Sequence, residues 1–243
     1  MNGASDAPRA GKVASEYGSA RPGPVGDAQE AAIQSITSGS ASGPLLLADI
    51  SGYTGFLQSV AEAHRDDAFA AGRVPDAYGL VASLLDGIIG RMAPPFTLSK
   101  LEGDAVFAFA RSDDEVPHGI ALLECVSECY GAFRDQLGAA MSVWTCRCAA
   151  CARVRSLDLK FVLHAGSYVI QAMGGSVELV GPEVVLAHRL LKNHAAGLVG
   201  NRAYALITNA AARALDVPAG DGIALTETYE HYPPVEVRVY TLD

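Results

Sequence analysis

The sequence predicts an α/β fold in which short apolar strands alternate with amphipathic helices. Residues 45–48 form an apolar run that is typical of a strand buried on both faces. Residues 76–92 place apolar side chains at helical spacing, and Pro94 and Pro95 end that pattern. Residues 235–240 alternate between apolar and polar side chains, as in a half-exposed antiparallel strand. The 243 residues fit one domain of ordinary to large size.

The other elements follow from the same two periodicities. Further helices are predicted at 52–65, 115–138, 181–194 and after Thr208, which suits an N-cap, as far as 215. Further strands are predicted at 96–101, 105–109, 157–171, 177–180 and 204–207. The turn composition Glu102-Gly103-Asp104 joins two of these strands into a β-hairpin. The folded domain is therefore expected to span residues 44–243.

Residues 1–43 are predicted to form a flexible tail. They are rich in Gly, Ala, Ser and Pro, and Tyr17 is their only aromatic residue, so they cannot bury enough apolar surface to fold alone. Residues 27–36 are an exception, because Asp27 and Glu30 have the spacing of a capping box at the start of a short helix.

The composition narrows the possible partners. No apolar run is long enough to cross a bilayer, and no secretory signal opens the chain, so a cytoplasmic protein without a membrane partner is expected. The formal net charge of −9 argues against binding to nucleic acid or to anionic lipid, because both need clustered cations. A phosphate-bearing ligand is therefore expected to need metal ions.

Two carboxylates, Asp49 and Asp104, stand at the ends of separate strands. Mg²⁺ prefers oxygen ligands and is often held by one or two carboxylates together with substrate phosphates. A sheet that brings both strand ends to one rim would make a metal site there. The alternative for Asp49 is that it caps the helix after Ser51-Gly52. Lys100 lies on the same hairpin as Asp104 and could contact a base or a phosphate, or it could be an ordinary strand lysine.

Three of the five cysteines, Cys146, Cys148 and Cys151, form a second candidate metal site. Three thiolates within six residues suit tetrahedral Zn²⁺ and leave one ligand open. Cys125, Cys129 and His164 are the candidates for the fourth ligand. A closed site in this insertion, residues 144–156, would be structural and an open one could be catalytic, and the alternative is three thiols without metal.

Four short blocks, in this order and spacing, resemble class III adenylyl and guanylyl cyclase homology domains. They are Ala48–Thr54, Lys100–Ala105, Leu163–Gly166 and Gly181–Arg189. The resemblance implies a ferredoxin-like α+β sandwich, that is, a mostly antiparallel sheet with helices packed mainly on one face. The cysteine cluster before a Leu-Lys-Phe strand, together with residues 187–194, resembles more narrowly the uncharacterised DUF2652 cyclase-like subfamily.

The resemblance also implies roles for individual residues. Asp49 and Asp104, with the backbone carbonyl of Ile50, would hold Mg²⁺ or Mn²⁺. Lys100 and Glu178 match the positions that select adenine, which favours ATP. Arg189 matches the arginine that stabilises the transition state. A head-to-tail homodimer is implied, and we expect Asp49, Lys100 and Asp104 of one chain to meet Glu178 and Arg189 of the other.

Two departures from the family pattern leave the activity open. Val185 replaces a transition-state asparagine four residues before the arginine. The triphosphate-binding lysine falls near Tyr229, and residues 227–237 contain no lysine or arginine. Losing one such donor typically lowers the rate about a hundred- to a thousand-fold. Two hypotheses follow: a divergent nucleotide cyclase, which is a lyase, or a zinc-containing nucleotide-binding or regulatory dimer that has lost catalysis.

Overall fold

A computed structural model describes residues 38–66, 68–173, 176–200 and 202–242. Its eight strands form one sheet. They are β1 (Gly39–Ser51), β2 (Thr97–Glu102), β3 (Ala105–Phe109), β4 (Asp158–Met173), β5 (Ser176–Val180), β6 (Tyr204–Thr208), β7 (Ile223–Glu227) and β8 (Val235–Thr241). The strand order is β2-β3-β1-β4-β6-β8-β7, and β5 pairs with the distal part of β4. Within the described residues, only the β4–β6 pairing is parallel.

In the described part of the chain, seven α-helices connect these strands. They are α1 (Tyr53–Ala63), α2 (Asp76–Met92), α3 (Ile120–Val143), α4 (Ala149–Ala152), α5 (Pro182–Arg189), α6 (Ala195–Val199) and α7 (Asn209–Ala214). Short 3₁₀ segments follow at Phe69–Ala71, Arg153–Ser156 and Leu190–Lys192. None of the described helices is both long enough and apolar enough to cross a bilayer.

The sheet separates two apolar cores because side chains alternate between its faces. In β1, Leu46, Ala48 and Ile50 face a core that is shared with α1, α2, α3 and α7. Leu45 and Leu47 face the opposite core, which α5 and α6 cover. The three longest helices thus pack on one face, and the expected mostly antiparallel sheet with helices mainly on one face is confirmed.

Several predicted boundaries need correction. Strand β1 begins at Gly39, inside the predicted tail, because residues 39–51 pair with β4 along their whole length. The helix predicted at 181–194 ends as α5 at Arg189. Strand β7 was not predicted, because it is short and mostly exposed and has only three consecutive apolar residues, Ile223–Leu225. The predicted helix at 27–36 lies outside the described residues.

Candidate functional site

Asp49 and Asp104 lie at the same rim of the sheet. Asp49 is opposite Ala105 in the antiparallel β1–β3 pairing, which places Asp104 beside it. The backbone N–H of Ile50 donates to the Asp104 carbonyl at 3.2 Å. Gly103 turns the hairpin with a φ of 68°, a left-handed value that favours glycine. The expected convergence of the two acids is therefore observed.

Lys160 is a third member of this rim, and sequence reasoning missed it. Its ammonium lies 2.8 Å from Asp49 Oδ2, and both side chains are largely buried. Asp49, Lys160 and Tyr204 are neighbours across strands β1, β4 and β6, so they share one face. Lys160 Nζ also donates to the Leu191 carbonyl at 3.3 Å. The pattern of residues 157–163 puts Lys160 on one face of a strand, but only the strand register pairs it with Asp49.

The electrostatics of this rim favour a cation. Burial raises the pKa of Asp104, and the nearby charge of Asp49 raises it further, whereas Lys160 opposes the shift. Two neighbouring carboxylates disfavour each other's ionised form. Hard oxygen donors at one rim are what Mg²⁺ or Mn²⁺ prefers. The donor set therefore fits a divalent ion, although Lys160 already neutralises part of its charge.

Lys100 lines a separate open groove with a volume of about 390 Å³, together with Val185 and Arg189. Lys100 Nζ is 2.8 Å from Glu178 Oε2 and 3.3 Å from Glu102 Oε1. The hydrogen bond from Lys100 to Glu178 raises the pKa of the lysine. The expectation that Lys100 and Glu178 come from different chains is wrong, because they pair within one chain.

Arg189 ends helix α5 at the edge of this groove. Its Nη1 donates to the Glu230 carbonyl at 3.4 Å, and its guanidinium lies 5.8 Å from the centre of the Tyr232 ring, within cation–π range. Val185 is one helical turn earlier on the same helix and is 48% exposed. The structure therefore groups Arg189 with Lys100, and it leaves an apolar side chain at the asparagine position.

Tyr229, which falls near the missing lysine, lies between β7 and β8. Within the described part of the chain its buried hydroxyl has no hydrogen-bond partner. Burial strongly raises its pKa, and Glu227 adds to the shift. Glu227 itself is fully buried and accepts bonds from the backbone N–H and Nδ1 of His194, at 2.7 and 2.9 Å.

His164 links β4 to the helix that carries Arg189. It is 3% exposed, with Nε2 at 2.6 Å from Glu183 Oε2 and Nδ1 at 3.0 Å from Thr208 Oγ1. Glu183 packs over Gly166, where a Cβ would lie only 2.5 Å from Glu183 Cγ. The segment from His164 to Gly166 thus positions α5, and His164 is not a zinc ligand.

Cys146, Cys148 and Cys151 converge with His64, which follows the last residue of α1. His64 Nε2 lies 3.3 Å from Cys151 Sγ, 3.4 Å from Cys148 Sγ and 3.7 Å from Cys146 Sγ. All four ligand atoms lie within 4.8 Å of one another, so the group could hold a metal ion. The three proposed fourth ligands, Cys125, Cys129 and His164, are therefore wrong, because among the described residues His64 is the one that completes this group. His64 was missed because nothing in its local sequence connects it to cysteines more than 80 residues later.

The thiols of this cluster have different pKa values. A bond from the backbone N–H of Cys151 to the sulfur of Cys148, 3.3 Å long, is the main reason why the pKa of Cys148 falls to about 7. Burial raises the pKa of Cys151 to about 12. A bound metal ion would hold all three as thiolates.

Two solved structures with a similar fold are nucleotide cyclases. The adenylyl cyclase CyaB from P. aeruginosa superposes with a TM-score of 0.58 and 14% identity, covering 86% of this chain and 97% of that chain. The guanylyl cyclase Cya2 gives a TM-score of 0.56 and 15% identity, covering 86% and 96%. The chain therefore has the fold of class III adenylyl and guanylyl cyclase domains, and the resemblance is confirmed at the level of fold.

The narrower resemblance is confirmed as well. The sequence model of the DUF2652 family, described as "Protein of unknown function", matches residues 81–198. The "Uncharacterized protein Rv2561/Rv2562" of Mycobacterium tuberculosis (strain ATCC 25618 / H37Rv) is 32% identical over 136 residues, which are 56% of this chain. The match spans 60% of the length of that relative.

Proposed function

We propose that this chain is a divergent class III nucleotide cyclase-like protein that carries out metal-dependent chemistry on a nucleoside triphosphate, with ATP favoured, at a homodimer interface. The observation that carries the proposal is the ion pair of Lys100 and Glu178 at 2.8 Å, because Lys100 lines the same groove as Arg189. A half-buried pair of opposite charges beside a guanidinium suits a ligand that combines a polar base with phosphates.

The ion pair supports the proposed preference for adenine. The edge of adenine presents a ring nitrogen, which accepts a hydrogen bond, beside an amino group, which donates one. An ammonium has three donors, and a carboxylate only accepts. Lys100 and Glu178 therefore offer a donor next to an acceptor. Guanine presents the opposite order on that edge, so it should bind less well.

Arg189 is proposed to stabilise the charge that develops on the reacting phosphate. Its guanidinium is planar, permanently charged and able to make two parallel bonds to phosphate oxygens. The contacts with Tyr232 and the Glu230 carbonyl hold the side chain at the groove edge. Such preorganised donors can contribute several kcal/mol to catalysis, on the order of 3 to 4.

Asp49, Asp104 and the Ile50 carbonyl are proposed to bind Mg²⁺ or Mn²⁺. When bound, the ion would neutralise triphosphate charge and lower the pKa of the attacking hydroxyl. The carboxylates orient the ion at the rim, and Lys160 competes for Asp49 in its absence. Zn²⁺ is our proposal for the Cys and His cluster, because thiolate and imidazole are the ligands that it prefers.

A head-to-tail dimer would bring the metal rim of one chain to the groove of the other. Lys100, Glu178 and Arg189 lie together within one chain. We therefore propose that one chain supplies these three residues to each shared site and that its partner supplies Asp49 and Asp104. Exposed apolar residues occur on the elements around the groove, which supports an interface there. They are Leu101, Val169, Val180 and Val185.

Mixed variants test both the activity and this division of the site. The purified chain is incubated with each ribonucleoside triphosphate and Mn²⁺ or Mg²⁺, and products are identified by chromatography and mass spectrometry. Asp104→Asn and Arg189→Ala should each abolish turnover alone. Mixed in equal amounts they should recover about a quarter of the wild-type rate, because half of the dimers are mixed and each has one intact site. No altered product from any of the four triphosphates would refute the enzymatic proposal.

A non-catalytic nucleotide-binding or regulatory dimer is the second candidate. The half-exposed Val185 at the asparagine position and Tyr229 in place of a lysine favour it, because valine has no hydrogen-bond donor and tyrosine has no positive charge. Calorimetric titration with a non-hydrolysable ATP analogue and Mg²⁺ separates the two. Saturable binding that Lys100→Met weakens, without turnover in the wild type, would support this candidate over the enzyme.

A further inference from the structure

The distances from His64 to the three cysteines match those around one tetrahedral zinc ion. With Zn–S near 2.3 Å and Zn–N near 2.05 Å, tetrahedral angles put nitrogen about 3.5 Å from each sulfur. The observed separations from His64 Nε2 are 3.3, 3.4 and 3.7 Å. These side chains come from two separate parts of the chain, so their convergence does not follow from the local cysteine spacing.

We propose that His64, Cys146, Cys148 and Cys151 form a closed structural Zn²⁺ site that anchors the C-terminal end of α1 to residues 144–156. Four protein ligands complete a tetrahedral shell and leave no position for a substrate or a reactive water. The Cys151 N–H that donates to Cys148 Sγ stabilises the thiolate form that a ligand needs. Cys151 is 2% exposed, so one side of the site is sealed by the core.

The segment that holds the cysteines also contacts the rest of α1. Arg153 Nη1 donates to Ser59 Oγ at 2.8 Å, in the middle of the helix. At its beginning, a Cβ on Gly52 would lie 3.4 Å from the Ser156 carbonyl oxygen, so the two backbones are close there. Helix α1 therefore lies along residues 144–156 for its whole length, and the zinc site fixes its far end.

The position of α1 affects the rim that carries Asp49. Gly52, the N-cap of α1, has a φ of 85° and is three residues after Asp49. Eleven helical residues at 1.5 Å each place the zinc site about 16 Å from this turn. At this distance zinc would hold the end of α1 in place and would take no part in chemistry at the rim. This inference deepens the zinc proposal made above and rests on it, but it does not depend on the proposed nucleotide chemistry.

Metal analysis of the full chain tests the site. The purified protein should contain one zinc per chain, and Co²⁺ in its place should show the visible absorption of a tetrahedral ion and thiolate charge transfer. His64→Ala should bind zinc at least about tenfold more weakly, because losing a direct ligand should cost no less than losing an outer-shell partner. His64→Cys should retain zinc because it restores a fourth ligand. The matched controls are His118→Ala, on an exposed loop, and Cys125→Ser, on α3.

A second measurement separates a structural role from mere binding. Removing zinc with a chelator should increase amide hydrogen exchange in residues 53–63 more than in the β1–β4 pairing, because the zinc site holds the end of this helix. Metal-free wild-type protein with a disulfide between any of the three cysteines would overturn the proposal. Unchanged zinc affinity in His64→Ala, or unchanged exchange in α1 after zinc removal, would overturn it as well.

Discussion

Replacing Lys160 with methionine tests whether an internal ammonium competes with a divalent ion for Asp49. Methionine keeps the length and the apolar stem of the side chain but removes its charge. In the metal-free protein the change leaves Asp49 without its partner at 2.8 Å and beside Asp104. Breaking a buried ion pair costs about 3 to 5 kcal/mol, and the residual exposure of this pair, 16% and 20%, reduces that cost to about 2 kcal/mol.

The stability that the metal-free variant loses should be regained when a divalent ion binds, so the variant should bind the ion more tightly. The metal-free variant loses about 2 kcal/mol that a bound ion restores, and binding no longer has to displace the ammonium. A difference of 1.4 kcal/mol is a factor of ten, so the affinity for Mn²⁺ should rise about 30-fold. Thermal unfolding with and without Mn²⁺ gives the stability, and calorimetric titration gives the affinity. Arg213→Met, on the exposed side of α7, is the control for the loss of one positive charge.

The result that would refute this reasoning is an unchanged or weaker affinity for Mn²⁺ in Lys160→Met with a fold like that of the wild type. Lys160 would then be needed to bind or to orient the ligand, and it would not compete with the ion. A metal-free variant as stable as the wild type would show that hydration already compensates the carboxylates.

Three further changes test other parts of the site. Val185→Asn should raise turnover about a hundred- to a thousand-fold, measured as product formation, and no gain would argue against the asparagine pattern. Tyr229→Phe should stabilise the protein by about 1 kcal/mol in urea unfolding, because the orphaned hydroxyl is removed. Its control Tyr204→Phe, whose hydroxyl donates to Asn193, should destabilise it. Asp104→Asn should abolish Mn²⁺ binding and flatten the pH dependence of the free energy of unfolding. The pKa of Asp104 is raised above 3.8 in the folded protein. The stability that Asp104 contributes is therefore full below pH 3.8 and is lost as the pH rises through the raised pKa.

The sequence was sufficient to predict the features that are encoded locally. The acidic residues stand at strand ends, and the turn Glu102-Gly103-Asp104 fixes the hairpin, so the rim with Asp49 and Asp104 could be predicted. The partners of these groups depend on strand register and on chain folding over long distances. Lys160 reaches Asp49 only because β1 pairs with β4 in one register, which no local pattern specifies.

The same limit explains the errors at the groove and at the cysteine cluster. Glu178 meets Lys100 within one chain because β5 folds back on the distal part of β4 and so contacts β2. A short strand such as β5 does not indicate where it pairs. His64 joins cysteines that lie 82 or more residues later, and a histidine at a helix end has no distinctive local signal.

The two ion pairs of the site respond differently to a ligand. The Lys100 ammonium has three donors and uses two, for Glu178 and Glu102, so a base can take the third without breaking the pair. Asp49 instead has an ammonium at the position where a cation would act. Base binding can therefore add to existing contacts, whereas metal binding must exchange one partner for another. It follows that divalent ion concentration, more than nucleotide concentration, should decide how much of the complete site is assembled.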